Sequence, residues 1–445
     1  MRPPISWSAL ADATVGVWGL GVEGRASVQK LHAQGCHPVL VDDAPTVPGV
    51  DGQRVLTTAA GGLEALLACD AVIKSPGISR YRDEVARLAA AGVLVCGGLG
   101  LFMEEADPAR VVCITGTKGK STTTALTVHL LRRLGHHARA GGNIGHPPWD
   151  PDAGPRPDYW VVETSSFQVP DLWHAPRVVA VTSLSPDHLD WHGTVTRYYA
   201  DKLSLCTKPG VALAIASGTD VELRAHAALL GPRVQWVSEA DVARDATWSG
   251  GLGLPGPHNA RNASVARAVL LALGITGAED DAALAEAARG FEGLPSRCHS
   301  LGRIGTVEFV DDSLSTNVLP AQAALQAFEG RPVALLVGGH DRGLDYAPLA
   351  RSLQARALPT LVVTMPDNGP RIATTVRHAG AGRVQVEEAD SLEAAVETAF
   401  GWAVSAGPEA VVLLSPAAPS FGHFVDYRAR SAAFAAAVGT CGPLT

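Results

Sequence analysis

The sequence predicts an α/β protein built from three doubly wound domains, and three observations lead to that fold class. Apolar, β-branched runs of strand length recur without polar alternation, as in parallel strands that are covered on both faces. Ala- and Leu-rich stretches of helical length separate these runs, which is the alternation of an α/β fold. The 445 residues also suit two to four domains at about 100–200 residues each.

The predicted strands follow one another along the whole chain. In order they are Val15–Leu20, His37–Val41, Ala71–Lys74, Val93–Cys96, Val111–Thr115, Tyr159–Glu163, Val178–Ser183, Val211–Ala214, Ala334–Val337, Thr360–Val363 and Ala410–Leu414. Ser121–Leu134 is predicted as a helix because leucines recur there at four-residue spacing and a glycine follows as a stop. The Pro-rich segment 147–157 is expected to form a surface loop.

Two Gly-rich turns and a third strand–helix series divide the chain into blocks. The turns lie near residue 20 and at 116–121, and the third series begins after Arg297. We therefore expect domains over 1–103, 104–298 and 299–445.

Composition excludes several classes of protein. Only 18% of the residues are charged while 47% are hydrophobic, which argues against a disordered chain. The net charge of -8 argues against nucleic acid as the main partner, because phosphate binding needs a basic surface. The sequence contains no uncharged apolar run of about 18 residues, so no membrane span is expected. The first residues lack the apolar core of a secretory signal.

The seven cysteines are scattered and form no CxxC motif, so we expect neither a disulfide framework nor a zinc site. Reduced thiols that mostly fill the core, in a protein of the cytoplasm, are the natural interpretation. The residues concerned are Cys36, Cys69, Cys96, Cys113, Cys206, Cys298 and Cys441.

A Gly-rich loop between a predicted strand and a predicted helix indicates nucleotide binding. Glycines let backbone N–H groups approach phosphate oxygens, the helix N terminus adds a positive dipole, and a lysine adds a charge. A hydroxyl after that lysine typically holds Mg²⁺. The loop, Gly116, Thr117, Lys118, Gly119, Lys120 and Ser121, is shorter than the standard motif, and an ordinary Gly-rich turn is the alternative.

The other Gly-rich turn, which comes first along the chain, is Gly19-Leu20-Gly21-Val22-Glu23-Gly24 and follows the first predicted strand. Asp42 ends the next strand about 20 residues later, as in a dinucleotide-binding fingerprint. This motif is a weak signal. A nucleotide diphosphate ligand is favoured, and a tight turn without a ligand is the alternative.

Four further residues lie in segments that bear on metal chemistry. Glu163 ends a predicted strand beside the phosphate loop, where Mg²⁺ would be held, although such an acid can also face water. His188 and His192 have the four-residue spacing of a zinc pair but no third ligand, so a single His188 directed at Mg²⁺ or phosphate is favoured. From the residues alone, Lys202 looks like an ordinary lysine on a helix surface.

Taken together and in this order, the motifs resemble the Mur ligase family, closest to its MurD-type, glutamate-adding members. The resemblance spans nearly the whole chain and is carried by GLGVEG, SPGI (75–78), TGTKGKST, GGNIG (141–145), ETSSFQ, SPDHLD, the Lys202 segment, HNARNA, GLPSR, DDSLSTN, LLVGGHDRGLD and LLSPAAPSFGHF. Any one of these motifs would be unspecific, whereas the phosphate loop, GGNIG and SSFQ together are highly specific.

The resemblance implies an N-terminal Rossmann-like domain for a UDP-sugar, a central ATPase and a C-terminal Rossmann-like domain for an amino acid. It also implies a reaction: ATP phosphorylates the carboxylate of UDP-N-acetylmuramoyl-L-alanine, and the amine of glutamate attacks the acyl phosphate. ADP and phosphate are released. Cations and backbone dipoles bring the two anions together.

Site residues carry over from the family position by position. For ATP they would be Gly116, Thr117, Lys118, Gly119, Lys120, Ser121, Thr122, Asn259, Asn262, Arg297 and Asp312. Ser121, Glu163 and His188 would hold Mg²⁺, and Lys202 matches a carbamylated lysine of the family, so Lys120, His188 and Lys202 are the catalytic candidates. For the UDP-sugar they would be Gly19, Leu20, Gly21, Asp42, Ser75, Pro76, Gly77, Asn143, Ser165 and Gln168.

The glutamate would contact Thr316, Arg342, Ser420, Phe421 and Tyr427. Several positions depart from the usual pattern. Lys118 replaces an Asn, Leu314 and Arg342 replace lysines of the D-glutamate enzymes, and Phe421 and Tyr427 replace Leu and Phe. Because arginine binds a carboxylate with a planar fork and lysine with a point charge, the two are not interchangeable there. The lost cation at Leu314 and the DDSLST and GGHDRGLD segments, which resemble the L-glutamate-adding branch of the family, favour L-glutamate. The ordinary D-glutamate enzyme is the alternative.

Three other functions compete with this interpretation. An NAD-dependent oxidoreductase would use the first Gly-rich turn and leave the second without a role. A phosphate-loop protein that hydrolyses ATP without ligation would need no amino acid. A folylpolyglutamate synthase-like ligase would not need the first turn. The sequence favours a monomeric, cytoplasmic glutamate ligase.

Overall fold

The computed structural model describes residues 5–44, 49–50, 52–380 and 384–445, and within those ranges the chain forms three six-stranded sheets. Helices connect successive parallel strands in all three. The predicted α/β class is therefore confirmed.

The first sheet has the strand order β3-β4-β2-β1-β5-β6, and only the edge pair β3–β4 is antiparallel. Its strands are β1 (Val15–Trp18), β2 (Val39–Val41), β3 (Gly49–Val50), β4 (Gln53–Leu56), β5 (Ala71–Lys74) and β6 (Leu94–Cys96). The helices of this part are α1 (Val22–Ala33), α2 (Leu63–Leu67), α3 (Asp83–Ala90) and α4 (Gly98–Glu105).

The second sheet has the order β12-β11-β10-β7-β9-β8, and every neighbouring pair is parallel. Its strands are β7 (Val111–Thr115), β8 (Ala138–Gly142), β9 (Tyr159–Glu163), β10 (Val178–Val181), β11 (Leu213–Ser217) and β12 (Val234–Val237). The helices are α5 (Lys120–Arg133), α6 (Leu189–His192), α7 (Val195–Leu203), α8 (Val221–Ala225), α9 (Glu239–Ser249), α10 (Pro257–Ala272) and α11 (Asp281–Ala288).

The third sheet has the order β13-β14-β18-β15-β16-β17, with the antiparallel pair β13–β14 at one edge. Its strands are β13 (His299–Ile304), β14 (Val307–Asp311), β15 (Val333–Gly339), β16 (Thr360–Asp367), β17 (Val384–Glu388) and β18 (Val411–Leu414). The helices are α12 (Val318–Ala327), α13 (Ala347–Gln354), α14 (Gly369–His378), α15 (Leu392–Ala406) and α16 (Tyr427–Cys441).

Some predicted element bounds were wrong, for local reasons. The strand predicted to run to Leu20 ends at Trp18, because Gly19 has a left-handed φ of 90°. The strand predicted at Val211–Ala214 is displaced to Leu213–Ser217, since the Val211 N–H still bonds to the Lys208 carbonyl of the preceding turn. The helix predicted at Ser121–Leu134 begins and ends one residue earlier.

The first two sheets belong to one compact unit and the third sheet to another. The first unit runs to Leu252 and includes Ala260–Phe291, and the second comprises Gly253–Asn259 and the residues from Glu292 onward. The predicted bounds of three separate domains stay a prediction. Among the described residues, no helix combines the length and the apolar character needed to cross a membrane.

The first and second sheets share one hydrophobic core. A single cluster of buried side chains extends from Trp7 to Leu230, and the rings of Trp7 and Trp149 stack with their centroids 6.1 Å apart. Trp149 lies in the segment 147–157, where residues 151, 152 and 154–156 are exposed as expected of a surface loop, whereas Trp149 itself is only 4% exposed. The tryptophan anchors that segment because burying a large aromatic surface stabilises the fold.

The cysteines are free thiols, and five of them are buried as expected of core residues. Cys298 and Cys441 are half-buried.

Candidate active site

The phosphate loop follows β7 and turns directly into α5, as the sequence predicts. Gly116 and Gly119 have φ angles of 139° and 87°, which side chains rarely adopt. A Cβ atom on Gly116 would lie 2.2 Å from Thr182 Oγ1, and one on Gly119 would lie 2.5 Å from Asn262 Oδ1. No side chain caps the N terminus of α5 in the described structure. The loop therefore lies at the positive end of the α5 dipole.

Side chains of neighbouring segments fix the shape of this loop. The hydroxyl groups of Thr117 and Tyr198 lie 2.9 Å apart. The backbone N–H of Lys118 donates to Ser183 Oγ at 2.8 Å, and Thr182 Oγ1 donates to the Lys118 carbonyl at 2.6 Å. Ordering the loop before a nucleotide binds reduces the entropy lost on binding.

Lysine side chains surround the mouth of the loop. Lys120 Nζ donates to the carbonyl of Thr117 at 3.0 Å, and Ser121 is buried in the first turn of α5 beside half-buried Thr122. Lys118, one of the departures from the family pattern, pairs with Asp187 at 3.2 Å. Although burial opposes the effect, Lys118 and His188 hold the pKa of the Asp187 carboxyl below its usual value. Lys118 thus balances an acid at this site.

Lys202 is buried, which corrects the interpretation of it as a lysine on a helix surface. Its Nζ atom donates to the Gly116 carbonyl at 2.9 Å and lies 5.1 Å from the centre of the Tyr198 ring. Burial, and then the charge of Lys120, lower the pKa of Lys202 well below its usual value. A lysine of lowered pKa is a neutral, nucleophilic amine for more of the time.

Glu163 ends β9 and is only 1% exposed, so it does not face water. Its Oε1 accepts from Asn143 Nδ2 at 3.2 Å, while Oε2 has no hydrogen-bond partner among the described residues. A buried carboxylate oxygen without a donor is costly unless a cation or water meets it. The oxygen donors of Glu163 and Ser121 fit a hard cation such as Mg²⁺.

The two histidines of the DHLDWH segment have different environments. His188 has a left-handed φ of 51° and is exposed, and its ring centroid lies 4.8 Å from that of Phe167. Although the side chain reaches solvent, partial desolvation of the ring lowers its pKa, which favours the neutral imidazole that binds a metal. His192 is instead 1% exposed, and both of its ring nitrogens contact protein side chains. Only His188 is available as a ligand.

The first Gly-rich turn joins the carboxyl ends of three neighbouring strands. The backbone N–H of Leu20 donates to Asp42 at 2.6 Å, and Ser75 Oγ donates to the Gly19 carbonyl at 2.6 Å. A Cβ atom on Gly24 would lie 1.9 Å from that same carbonyl oxygen, so α1 can approach the turn only with a glycine there. The structure thus brings together most residues expected to bind the UDP-sugar.

The remaining residues expected at the sugar lie around this turn and around β9. Gly21 is the N-cap of α1, Gly77 is exposed, and the Pro76 carbonyl accepts from Trp191 Nε1 at 3.2 Å. Ser165 and Gln168 bond to each other, since the Ser165 N–H donates to Gln168 Oε1 at 2.7 Å.

Gln168 does not project into solvent as a free ligand-binding side chain. It is 3% exposed, and its Nε2 donates to Glu23 Oε1 at 2.5 Å. Desolvation raises the pKa of Glu23 to about 7. Nearby, Lys74 and Asp171 form a buried ion pair at 2.6 Å that also joins the first sheet to the second.

In the second unit, Asp312 follows β14 and is buried. It accepts hydrogen bonds from Ser415 Oγ at 2.7 Å and from the Cys298 N–H at 3.2 Å. Desolvation raises its pKa to about 7. Arg297 precedes Cys298 and lowers that pKa electrostatically. Asn259 belongs to the same unit, where its Nδ2 donates to the Pro255 carbonyl at 2.7 Å.

The residues expected to contact glutamate lie at the carboxyl ends of the third sheet. Ser420 is buried and lines a cavity of about 190 Å³, together with Gly339 and Arg430. Thr316, Arg342 and Phe421 are exposed and Tyr427 is half-buried.

Arg430 was not predicted as part of any site. It is 1% exposed and donates to the carbonyls of Ser313 and Ala418, which lie in the two loops that carry Thr316 and Ser420. Nothing in the local sequence marks this arginine, because both of its contacts are distant along the chain. Tyr198 and Asp187 were also missed, although each stands beside a motif that was recognised.

Comparison with known proteins covers nearly the whole chain. Three family models match: the Mur ligase MurD-like N-terminal domain over residues 13–97, the Mur ligase middle domain over 114–270, and the Mur ligase glutamate ligase domain over 296–418.

Curated relatives resemble the chain over its length and theirs. A UDP-N-acetylmuramoyl-L-alanine–L-glutamate ligase of Xanthomonas euvesicatoria is 40% identical over 97% of this chain and 96% of the relative. A Micromonospora protein of the same name is 41% identical over 97% of each chain.

Solved structures share the fold at low identity. A UDP-N-acetylmuramate-alanine ligase of Thermotoga maritima, MurC, matches with a TM-score of 0.55 and 19% identity over 97% of this chain and all of that one. MurF of Acinetobacter baumannii matches with a TM-score of 0.58 and 16% identity over 95% and 90%.

Proposed function

Because the chain belongs to the Mur ligase family, we propose that it joins L-glutamate to UDP-N-acetylmuramoyl-L-alanine at the expense of ATP. It is an ATP-dependent acid–amino-acid ligase of peptidoglycan precursor synthesis, as its family and relatives indicate. The observation that carries the proposal is the sequence identity of about 40% to enzymes of that name over 97% of the chain. The oxidoreductase and the simple ATPase lose their support with this result.

The carboxylate of the alanyl substrate is a poor electrophile until ATP phosphorylates it. In the proposed reaction a carboxylate oxygen attacks the γ-phosphorus and ADP leaves. The glutamate amine then attacks the carbonyl carbon of the acyl phosphate, loses a proton and expels phosphate. The Gly116–Ser121 loop, the N terminus of α5 that follows it and the charge of Lys120 would hold the ATP phosphates.

Ser121, Glu163 and His188 would hold Mg²⁺. A bound magnesium ion neutralises phosphate charge during phosphoryl transfer. The unpartnered Oε2 of buried Glu163 supports this assignment, because it is an oxygen donor in need of a cation. Asn143 orients the other oxygen of Glu163.

Lys202 would act as a carbamate. Its neutral amine would attack CO₂ at carbon and lose a proton, giving a carbamate anion in place of a cation. The lowered pKa of Lys202 and its burial beside Gly116 support this, since a protonated lysine could not attack and would repel Mg²⁺.

Asn259, Asn262, Arg297 and Asp312 would contact the nucleotide. Asn262 supports this role by its place beside Gly119 of the phosphate loop. The other three stay assignments by resemblance.

The Gly19–Gly24 turn with Asp42 and Ser75–Gly77 would hold the UDP group, and Asn143 and Ser165 would face the muramoyl part. The internal bonds of Gln168 favour a role for it in shaping that site. We further propose that the enzyme acts as a monomer in the cytoplasm, where ATP and UDP-linked sugars are found.

L-glutamate is proposed over its mirror image because the curated relatives are named for the L-enantiomer. Thr316, Arg342, Ser420, Phe421 and Tyr427 would surround it, with Arg342 as the fork for one carboxylate. Buried Ser420 on the cavity wall supports this location.

The test is an ADP-release assay with ATP, Mg²⁺ and UDP-N-acetylmuramoyl-L-alanine, with L- and D-glutamate at equal concentrations. We expect L-glutamate to drive turnover and omission of either substrate to abolish it. Preference for D-glutamate would contradict the choice of enantiomer while leaving the ligase intact. ADP release that ignores the amino acid would contradict ligation itself.

A further inference from the structure

Four side chains form a continuous hydrogen-bonded chain beside Lys202, and the proposed reaction gives it no role. His192 Nε2 lies 3.0 Å from Ser166 Oγ, and His192 Nδ1 lies 2.7 Å from Asp201 Oδ2. The Tyr81 hydroxyl donates to both oxygens of Asp201, at 2.8 and 2.9 Å. We call this chain, Ser166–His192–Asp201–Tyr81, the histidine relay.

The relay joins three segments that carry predicted site residues. Ser166 belongs to the segment after β9, three residues beyond Glu163, and Asp201 precedes Lys202 in α7. Tyr81 lies just beyond the Ser75–Gly77 segment of the first sheet. Two further bonds tie that segment to the same place, because Trp191 Nε1 donates to the Pro76 carbonyl and Ser79 Oγ donates to the Trp191 carbonyl.

The order serine, histidine, aspartate resembles a hydrolytic triad, but burial argues against hydrolysis. Ser166 is 2% exposed and His192 is 1% exposed, so a substrate carbonyl cannot approach the hydroxyl. Phe167 covers His192, with ring centroids 5.7 Å apart. The relay can position what it touches, and it cannot act on a substrate directly.

We propose that the histidine relay positions α7, and with it Lys202, against the metal-binding segment, and that Tyr81 links this position to the UDP-sugar segment. His192 is thus a positioning residue. This inference rests on the proposed role of Lys202.

The physical basis is the placement of the bonds along the helix. Asp201 adjoins Lys202 and is held from two sides, by His192 and by Tyr81. Losing either bond frees the last turns of α7 to rotate, which moves the Lys202 amine relative to the Gly116 carbonyl. Displacement by about 1 Å in such a site can cost about 10²-fold in rate. Partial desolvation of the hydroxyl, and then the bond to Asp201, raise the pKa of Tyr81 to about 12, so it stays a donor over the working range.

The test compares conservative variants in the ADP-release assay. Tyr81→Phe removes the hydroxyl that contacts both oxygens of Asp201, and Tyr81 is 44% exposed, so the fold should tolerate the change. His192→Gln keeps a donor near Ser166 but cannot also reach Asp201. The matched control is Tyr199→Phe, which removes a hydroxyl–carboxylate bond of 3.3 Å to Glu222 from the same helix but outside the relay.

We expect Tyr81→Phe and His192→Gln each to lower kcat about 10-fold, as for loss of a bond to a charged group. The KM for ATP should not change, and Tyr199→Phe should match the natural protein. The double variant should lose little more than either single variant, because both act on one element. Tyr81→Phe and His192→Gln should both need more added bicarbonate to reach their maximal rate. A general loss of stability would not cause that shift.

Equal kcat for Tyr81→Phe and Tyr199→Phe would overturn the proposal, as would losses that multiply in the double variant. Lys202→Ala in the same assay tests the role of Lys202 separately from the role of the histidine relay. An inactive Lys202→Ala with a normal Tyr81→Phe would refute the relay alone. An active Lys202→Ala would refute the role of Lys202 on which the relay depends. If His192→Gln does not fold, Tyr81→Phe with its control still decides.

Discussion

The buried Nζ atom of Lys202 donates a hydrogen bond of 2.9 Å to the carbonyl oxygen of Gly116, the first residue of the phosphate loop. This contact places the one lysine of α7 against the segment that would hold the ATP phosphates. Because burial lowers the pKa of this lysine, the contact joins an amine ready for modification to the centre of the proposed chemistry.

Lys202→Ala should be nearly inactive, and short carboxylic acids added to the assay should restore part of its rate. The carbamate would supply an anion that alanine lacks, and a small carboxylate can occupy the space. Intact mass measured under mild conditions should show the mass of one added CO₂ on the natural protein. An unmodified lysine together with a fully active alanine variant would contradict the proposal.

The modification should also depend on pH in a definite direction. Because the pKa of Lys202 is lowered in the folded protein, its amine becomes protonated as the pH falls through that value. Protonation prevents attack on CO₂, so activity at low bicarbonate should fall on the acid side and recover with added bicarbonate. Rates that ignore bicarbonate over the whole pH range would count against this dependence.

Lys120→Ala should lower the rate of ADP release by about 10²–10³-fold, the usual loss when one preorganised charge is removed. The variant should fold normally, because Lys120 lies half-buried at a helix start. Lys30→Ala, in the last turn of α1, is the control for the loss of a lysine side chain from a helix end. Normal turnover by a folded Lys120→Ala protein would remove the ATP site from this loop.

Glu23→Gln should raise stability at pH 8 relative to the natural protein and leave it nearly unchanged at pH 5. The pKa of Glu23 is raised to about 7 in the folded state, above its unfolded value. The contribution of protonated Glu23 to the free energy of unfolding is therefore fully present below the unfolded pKa. It is lost as the pH rises through 7 and the buried carboxylate must carry a charge. The amide keeps an acceptor for Gln168, so the gain should be about 1–3 kcal/mol in urea unfolding. An identical pH profile for both proteins would show that Glu23 titrates normally.

Gly24→Ala should weaken binding of the UDP-sugar and destabilise the packing of α1 on the first sheet. Its Cβ would lie 1.9 Å from the Gly19 carbonyl oxygen, so α1 or the turn must move. Gly21→Ala meets no atom within 4 Å and serves as the control for stability. We expect a lowered unfolding midpoint for the first variant only, and equal midpoints for both would argue that the close approach is absent.

The fold and much of the site could be predicted from the sequence, since both depend on local patterns. The strands at the centres of the sheets are short apolar runs. The glycines that the two turns require lie within a few residues of one another in the sequence. The missed elements lack such patterns: β8 reads ARAGG, and it is a strand because β9 supplies its partner. The surroundings of Lys202, Arg430 and His192 depend on segments far apart in the chain, and no spacing reveals them.

The stacked pair Trp7 and Trp149 also determines how the chain can be divided for study. Because the first two sheets share one core, a fragment beginning near residue 104 would lose the side of that core contributed by Trp7 and its neighbours. Trp149 and the apolar residues around it would then be exposed to water, and such an exposed apolar patch favours self-association. The smallest fragment with the phosphate loop that is suited to expression therefore comprises the first and second sheets together. The fluorescence of its tryptophans would report whether the shared core has formed.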